Sequence, residues 1–235
     1  MRVSWKLPPV DSANWFLRSE NADCSSRGGW TRKRMGAWNG AGDRWTGLPT
    51  CEECGGYFGI DSVANGFGLL PRAVITLCEW RGDRVVIDGD KVCVSSFRVL
   101  ATGADVPDAY LEACGYLIAR DGDTISPRDG ERWLCREGHV TVSGQTGGEW
   151  RAHGDSTQAV SGQAGGEWSA FDQSTQTVTG QTGGWWIAHD HSTQTVTGQT
   201  GGEWIAHAQS TQTVTGQAGG EWDAYGDSTQ IEGGE

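Results

Sequence analysis

Residues 141–158 read TVSGQTGGEWRAHGDSTQ, and this 18-residue unit returns four more times without a slip, ending at Gln230. Val142, Val160, Val178, Val196 and Val214 form one column; Trp150, Trp168, Trp186, Trp204 and Trp222 form another. A unit this short is one turn of a solenoid, because it cannot bury its apolar side alone. Gly-Gly at a fixed place, β-branched residues and the lack of an i, i+3, i+4 pattern favour strands over helices. A disordered linker would have no use for a tryptophan every 18 residues.

Two short strands fit each unit, one like Thr177–Gln181 and one like Glu203–His207. Alternation sends Val178 and Gly180 to one side of the first, and Trp204 and Ala206 to one side of the second. The other sides carry Thr177, Thr179 and Gln181, and Glu203, Ile205 and His207. Burying a column of glutamates without partners is costly, so Val/Gly and Trp/Ala are expected to face inward. Gly183-Gly184 supplies a tight corner, and the polar run Asp190–Gln194 supplies a longer one. Coils stacked in register would be about 4.8 Å apart. Like residues then form ladders, among them an outward aromatic ladder of His153, Phe171, His189, His207 and Tyr225.

Charge divides along the chain. Residues 1–135 hold 16 Lys and Arg against 18 Asp and Glu; residues 136–235 hold 2 against 12, which is −10 of the net −12. A rod this acidic repels phosphate backbones, which argues against nucleic acid as a partner. No apolar run reaches the ~20 residues of a membrane span. Residues 1–15 lack the apolar stretch of a secretory signal. These features place the protein in a cytoplasm, or in a virion assembled there.

All seven cysteines precede the repeats, and an odd count without a signal segment predicts reduced thiols. Cys51-Glu-Glu-Cys54 has the spacing of half a zinc site, with no second half in the sequence. Cys51 and Cys54 are thus weak metal candidates, and no cofactor is expected. Arg27–Arg34 is the basic cluster of the chain, read as a solvated loop.

The N-terminal region reads as a small α+β domain, residues 1–130, followed by a solenoid over 131–235. Ile60–Phe67 is expected as a short helix, Arg72–Trp80 as a buried strand, and Arg81-Gly-Asp83 as a hairpin turn. Arg84–Asp88 and Lys91–Leu100 then complete a small antiparallel meander. Pro107–Ile118 has the pattern of an amphipathic helix, Asp121–Gly130 of a hinge, and Arg132–Cys135 of an imperfect first coil or cap.

The run Trp5, Gly28-Gly29, Trp45, Pro49-Thr-Cys51, Gly56-Tyr57, Leu70, Val74, Glu79-Trp-Arg81-Gly82, Asp90-Lys91-Val92 and Arg98-Val99-Leu100 resembles an uncharacterised small domain of phages and actinobacteria. That resemblance implies a phage or prophage setting and a domain-plus-solenoid plan, with no activity attached. The repeats are similar in style to bacterial ice-nucleation solenoids, which share Ser-Thr-Gln-Thr and an aromatic column. Here the unit is longer and the coils are few.

Three functions follow as expectations. The first is a non-enzymatic scaffold or binding module. A solenoid ends in an open strand edge, which invites pairing. Gln230, Ile231 and Glu232 are the expected interface, with a second copy of the chain as partner in a two-fold dimer, and with another protein as the further candidate. The second is ice binding by the outward Thr177, Thr179, Thr195, Thr197, Thr213 and Thr215. The third is an enzyme in the N-terminal domain. That domain lacks the usual general base, since all five histidines lie beyond residue 135, and the chain is read as not an enzyme.

Overall fold

A computed structural model of the chain describes residues 6–20, 35–42, 46, 57–61, 74–87, 91–128, 130–144, 147–162, 165–180, 183–198, 201–216 and 220–233. The protein is mainly β and divides into two compact units, Met1–Gly115 and Tyr116–Glu235. The second unit begins ahead of the boundary expected at residue 130.

Unit one is an antiparallel sheet domain. Its strands are β1 (Trp15–Glu20), β2 (Asn39–Gly40), β3 (Tyr57–Ile60), β4 (Val74–Ile87) and β5 (Lys91–Thr102). β1 pairs with β3 and β4, and β5 pairs with β3, β4 and β2. The four longer strands therefore close into a ring, which leaves few free edges. Phe16, Val92, Val94, Phe97 and Val99 fill its interior. Arg18 is buried with its guanidinium over the Phe97 ring, 4.9 Å from the centroid.

Arg81-Gly-Asp83 is not a hairpin turn. It lies inside β4 as a bulge opposite Ser95 and Ser96. Gly82 takes φ +82°, and the Asp83 amide donates to Ser95 Oγ at 2.9 Å. The extra residue bends one long strand where the sequence suggests a break between two. The helix expected at 60–67 lies largely outside the described residues. The helix expected at 107–118 is shorter: α1 spans Asp108–Ala113, and Gly115 at φ +81° swings the chain out of it. Tyr110 from α1 donates its hydroxyl to the Pro8 carbonyl and packs edge-on against Trp15. Cys93 is disulfide-bonded, where reduced thiols were expected, while Cys78, Cys114 and Cys135 are buried thiols. An odd count leaves a thiol over but does not forbid a bridge.

Unit two is a parallel β-solenoid in which each coil gives one strand to each of two sheets. Its strands alternate between two sheets. They run β6 (Tyr116–Ala119), β7 (Thr124–Ile125), β8 (Arg132–Cys135), β9 (His139–Ser143), β10 (Glu149–Ala152), β11 (Thr157–Ser161), β12 (Glu167–Ala170), β13 (Thr175–Thr179), β14 (Trp185–Ala188), β15 (Thr193–Thr197), β16 (Glu203–His207), β17 (Thr211–Thr215), β18 (Glu221–Tyr225) and β19 (Thr229–Gly233). Even-numbered strands β6–β18 form one seven-stranded sheet, and odd-numbered β7–β19 form the other. The segments read as helix end and hinge thus supply β6 and β7, the first coil.

The core follows from the register. Trp150 pairs with Trp168, Trp168 with Trp186, and Trp186 with Trp204. Their indoles stack at 5.1–5.3 Å, nearly parallel, against the valine column. Each buried indole removes roughly 200 Å² from water, worth about 5 kcal/mol before entropy is charged. The Nε1 of Trp150, Trp168 and Trp186 has no hydrogen-bond partner.

The odd-numbered sheet differs from the expectation by two residues. Its strands are Thr175–Thr179 rather than Thr177–Gln181, because the chain turns at Gly180. The inward pair is therefore Gln176 and Val178. Gln158, Gln176, Gln194 and Gln212 are fully buried. From Gln176 onward each amide donates to the glutamine one coil before it: Gln176 to Gln158 at 2.9 Å, Gln194 to Gln176 and Gln212 to Gln194 at 2.7 Å, and Gln230 to Gln212 at 2.8 Å. A continuous amide ladder satisfies groups that would otherwise be costly to bury.

The aromatic ladder exists but is not on the outside throughout. Adjacent rings stack at 4.6–5.0 Å. Phe171 is buried and His153 is 7% exposed, while Tyr225 at the last coil is 52% exposed. These residues sit where the chain leaves the even-numbered sheet for the corner, so strict in–out alternation no longer applies to them. Arg151, Ser169 and Ile187, expected outward, are also buried. Arg151 forms an ion pair with Glu149 at 2.5 Å.

Candidate functional site

The outer face of the odd-numbered sheet carries hydroxyls in three columns, not two. Thr177, Thr195 and Thr213 stack in one column, and Thr179, Thr197 and Thr215 in the next. Thr175, Thr193 and Thr211 add a third. The sequence reading missed it by assigning those residues to the corner. Nine threonines therefore form a three-by-three grid on β13, β15 and β17. Coil spacing is about 4.8 Å, and alternate residues along a strand are about 6.7 Å apart. Buried Gln and Val directly beneath hold each strand flat and in register. Toward the start of the rod the grid is broken by Ala159, and by Ser161 and Ser143. Beyond β17 it is broken by Ile231 and Gly233.

Gln230, Ile231 and Glu232 lie together on β19, opposite Gln212, Thr213 and Val214. Among the described residues, β18 and β19 each have a neighbouring strand on one side only. Gln230 is anchored through its amide, which also donates to the Asp223 carbonyl at 3.1 Å. Ile231 is 47% exposed. This coil thus gathers two large apolar side chains at the surface, Ile231 and Tyr225.

A shallow groove of about 620 Å³ runs along the even-numbered sheet, lined by Gly166, Gly184, Gly202 and Gly220 and by Glu167, Trp185, Glu203 and Glu221. Trp185 is half exposed and donates its Nε1 hydrogen to the Glu203 carboxylate. Burial, reinforced by the neighbouring Glu149 carboxylate, raises the pKa of Glu167. Glu149 itself is matched by Arg151 and by Arg132 at 3.6 Å.

Cys51, Cys54 and Arg27–Arg34 lie outside the described residues. Among the described residues, no three His, Cys, Asp or Glu side chains cluster as a metal site, and no helix is long and apolar enough to cross a membrane. The chain matches no protein-family model, no curated protein and no solved structure. The resemblances to a phage-associated domain and to ice-nucleation solenoids rest on their residues alone.

Proposed function

We propose that the protein is a non-enzymatic scaffold: a rigid acidic rod that associates with a second copy through the last coil, in the phage-related setting suggested by its N-terminal residues. What supports this reading is that, among the described residues, β18 and β19 pair on one side only, together with the exposure of Ile231 and Tyr225 there. Unpaired N–H and C=O groups of a strand edge bind another strand readily. The net charge of the rod speaks against nucleic acid as the partner. Light scattering on a sizing column tests it. The wild-type chain is expected to elute as a dimer or larger. Ile231→Lys, which replaces an exposed apolar side chain of β19 by a charge, is expected to elute as a monomer with unchanged β content. A wild-type chain that stays monomeric at high concentration overturns the reading.

The third threonine column favours a second reading, ice binding. A rigid hydroxyl lattice with two fixed repeats can order water on itself, and nine threonines in register supply one. Thermal hysteresis at millimolar protein, abolished by Thr195→Lys at the grid centre, is the expected result. Its absence from the wild-type chain rejects this reading. Outward threonine is also favoured by β-propensity alone, so hysteresis rather than sequence decides.

A further inference from the structure

The groove on the even-numbered sheet is centred on an aromatic ring that the core does not need. The register stacks Arg132, Glu149, Glu167, Trp185, Glu203 and Glu221 in one column. Trp185 thus stands where the coils on either side have glutamate. It is 49% exposed, beside the glycines Gly166, Gly184 and Gly202 that keep the groove open. Its Nε1 edge is tied to the Glu203 carboxylate, so what it shows to solvent is ring carbon. A tethered, half-open indole in a concave surface is a platform for a ligand.

Charge decides what can lie on that platform. Glu149 is matched by Arg132 and Arg151, but beyond Arg151 the repeats contain no lysine or arginine. Burial and the Glu149 carboxylate disfavour the charged form of Glu167 more than Arg151 favours it. A cation over an indole is attracted by the ring, and a carboxylate on each side adds to that attraction. A neutral sugar would desolvate the same carboxylates without cancelling their charge, and anions are repelled. Among the described residues, no three ligating side chains cluster to hold a single metal ion. Spacing narrows the choice. Successive coils are about 4.8 Å apart, whereas same-side residues of an extended peptide are about 6.7 Å apart and fall out of step. Three methylenes hold two ammonium nitrogens about 5 Å apart at ordinary bond lengths.

We propose that this groove binds a linear aliphatic polyamine with three-carbon spacers, laid along the rod with one ammonium over the Trp185 ring and its neighbours on Glu167 and Glu203. The methylenes between the charges lie against the glycines. Glu203 can serve both the Trp185 N–H and an ammonium, because a carboxylate accepts at two oxygens. Glu221, one coil further, takes a fourth nitrogen where the ligand has one. The site is separate from the last-coil contact proposed above and does not depend on it.

Titration calorimetry of the full chain with norspermidine, a triamine with two three-carbon spacers, tests this. Trp185→Glu writes the residue of the adjoining coils at this position and adds a negative charge. It should nevertheless weaken binding about fivefold, the worth of a cation–π contact. Trp185→Gln, without the added charge, should weaken it at least as much. Glu203→Gln, whose oxygen can still accept from Trp185, should weaken it about threefold. Bis(hexamethylene)triamine, with the same charge and longer spacers, should bind several times more weakly than norspermidine. Equal or tighter binding to Trp185→Glu means a diffuse counterion atmosphere and overturns the proposal. Equal affinity for the two triamines overturns the match of spacing on which it stands. No binding to the wild-type chain, or binding of a neutral oligosaccharide in place of the triamine, overturns it as well.

Discussion

The two sheets of the solenoid solve one problem in opposite ways. Both must bury a large side chain once per coil. The even-numbered sheet does so with tryptophan, whose indoles stack while three of their N–H groups stay unpaired. The odd-numbered sheet does so with glutamine, whose amides bond lengthwise from Gln158 to Gln230 and leave only the Gln158 nitrogen, at the head of the ladder, unpaired. In a stacked repeat, the partner of a side chain is its own copy one coil away. A residue with both a donor and an acceptor can therefore be buried by repetition alone. A carboxylate cannot, because its copy is another acceptor with the same charge. The glutamates accordingly line an open groove, and the glutamines sit inside.

Removing one member of each ladder separates the two solutions. Trp186→Ala should be the most damaging substitution, costing about 3–5 kcal/mol from lost transfer energy and the cavity left between Trp168 and Trp204. Denaturant titration reads this directly. A loss below about 1 kcal/mol would mean that the neighbouring indoles close the gap, and that the aromatic column is more plastic than its near-parallel stacking implies.

Gln194→Ala breaks the amide ladder in the middle. The Gln176 Oε1 loses its donor and the Gln212 amide loses its acceptor one coil back, although Gln212 keeps the Ile205 carbonyl at 3.1 Å. The expected cost is about 2 kcal/mol, chiefly the penalty for orphaned buried groups. Gln194→Glu should cost more than Ala at neutral pH, since it buries a charge in the same place. If Glu is tolerated as well as Ala, the ladder is wetter than its burial indicates.

This contrast also explains what was legible in the sequence. Trp, Val and Gly at fixed spacing were enough to read the solenoid, its period and its inward tryptophan and valine columns. They could not show Gln176 facing in, because polarity is read one residue at a time while the amide ladder depends on five copies at once. Misplacing that glutamine in the corner also hid Thr175, Thr193 and Thr211, and with them a third of the hydroxyl grid. The N-terminal unit has no repeat to average over. Its strand β4 bends at a bulge that looks like a turn, and β1 and β3 pair with strands distant in sequence. The first coil was missed because Tyr116–Ala119 follows α1 directly, and only Gly115 marks the break. For the last coil, Gln230, Ile231 and Glu232 were legible because each departs from, or ends, a column already established.

The corner joining the two sheets should show the smallest effect, and it appears only with pH. His207 stacks between His189 and Tyr225 at 4.7 and 5.0 Å. Burial holds its pKa below the ordinary imidazole value. The folded chain therefore binds this proton less readily than the unfolded chain. Its contribution to stability is complete above about pH 6.5, the unperturbed value, and declines as pH falls from there through the lowered folded value. Glu167 acts in the opposite sense. Its raised pKa favours the folded state at low pH, and that advantage is lost as pH rises through the folded value. Comparing wild type with His207→Phe isolates the first effect, because Phe already fills this column at Phe171 without titrating. The variant should lose part of the decline in stability between pH 7 and 5 and keep whatever Glu167 contributes below it. Parallel stability curves for the two proteins would place the acid sensitivity elsewhere in the fold and leave His207 as a packing residue only.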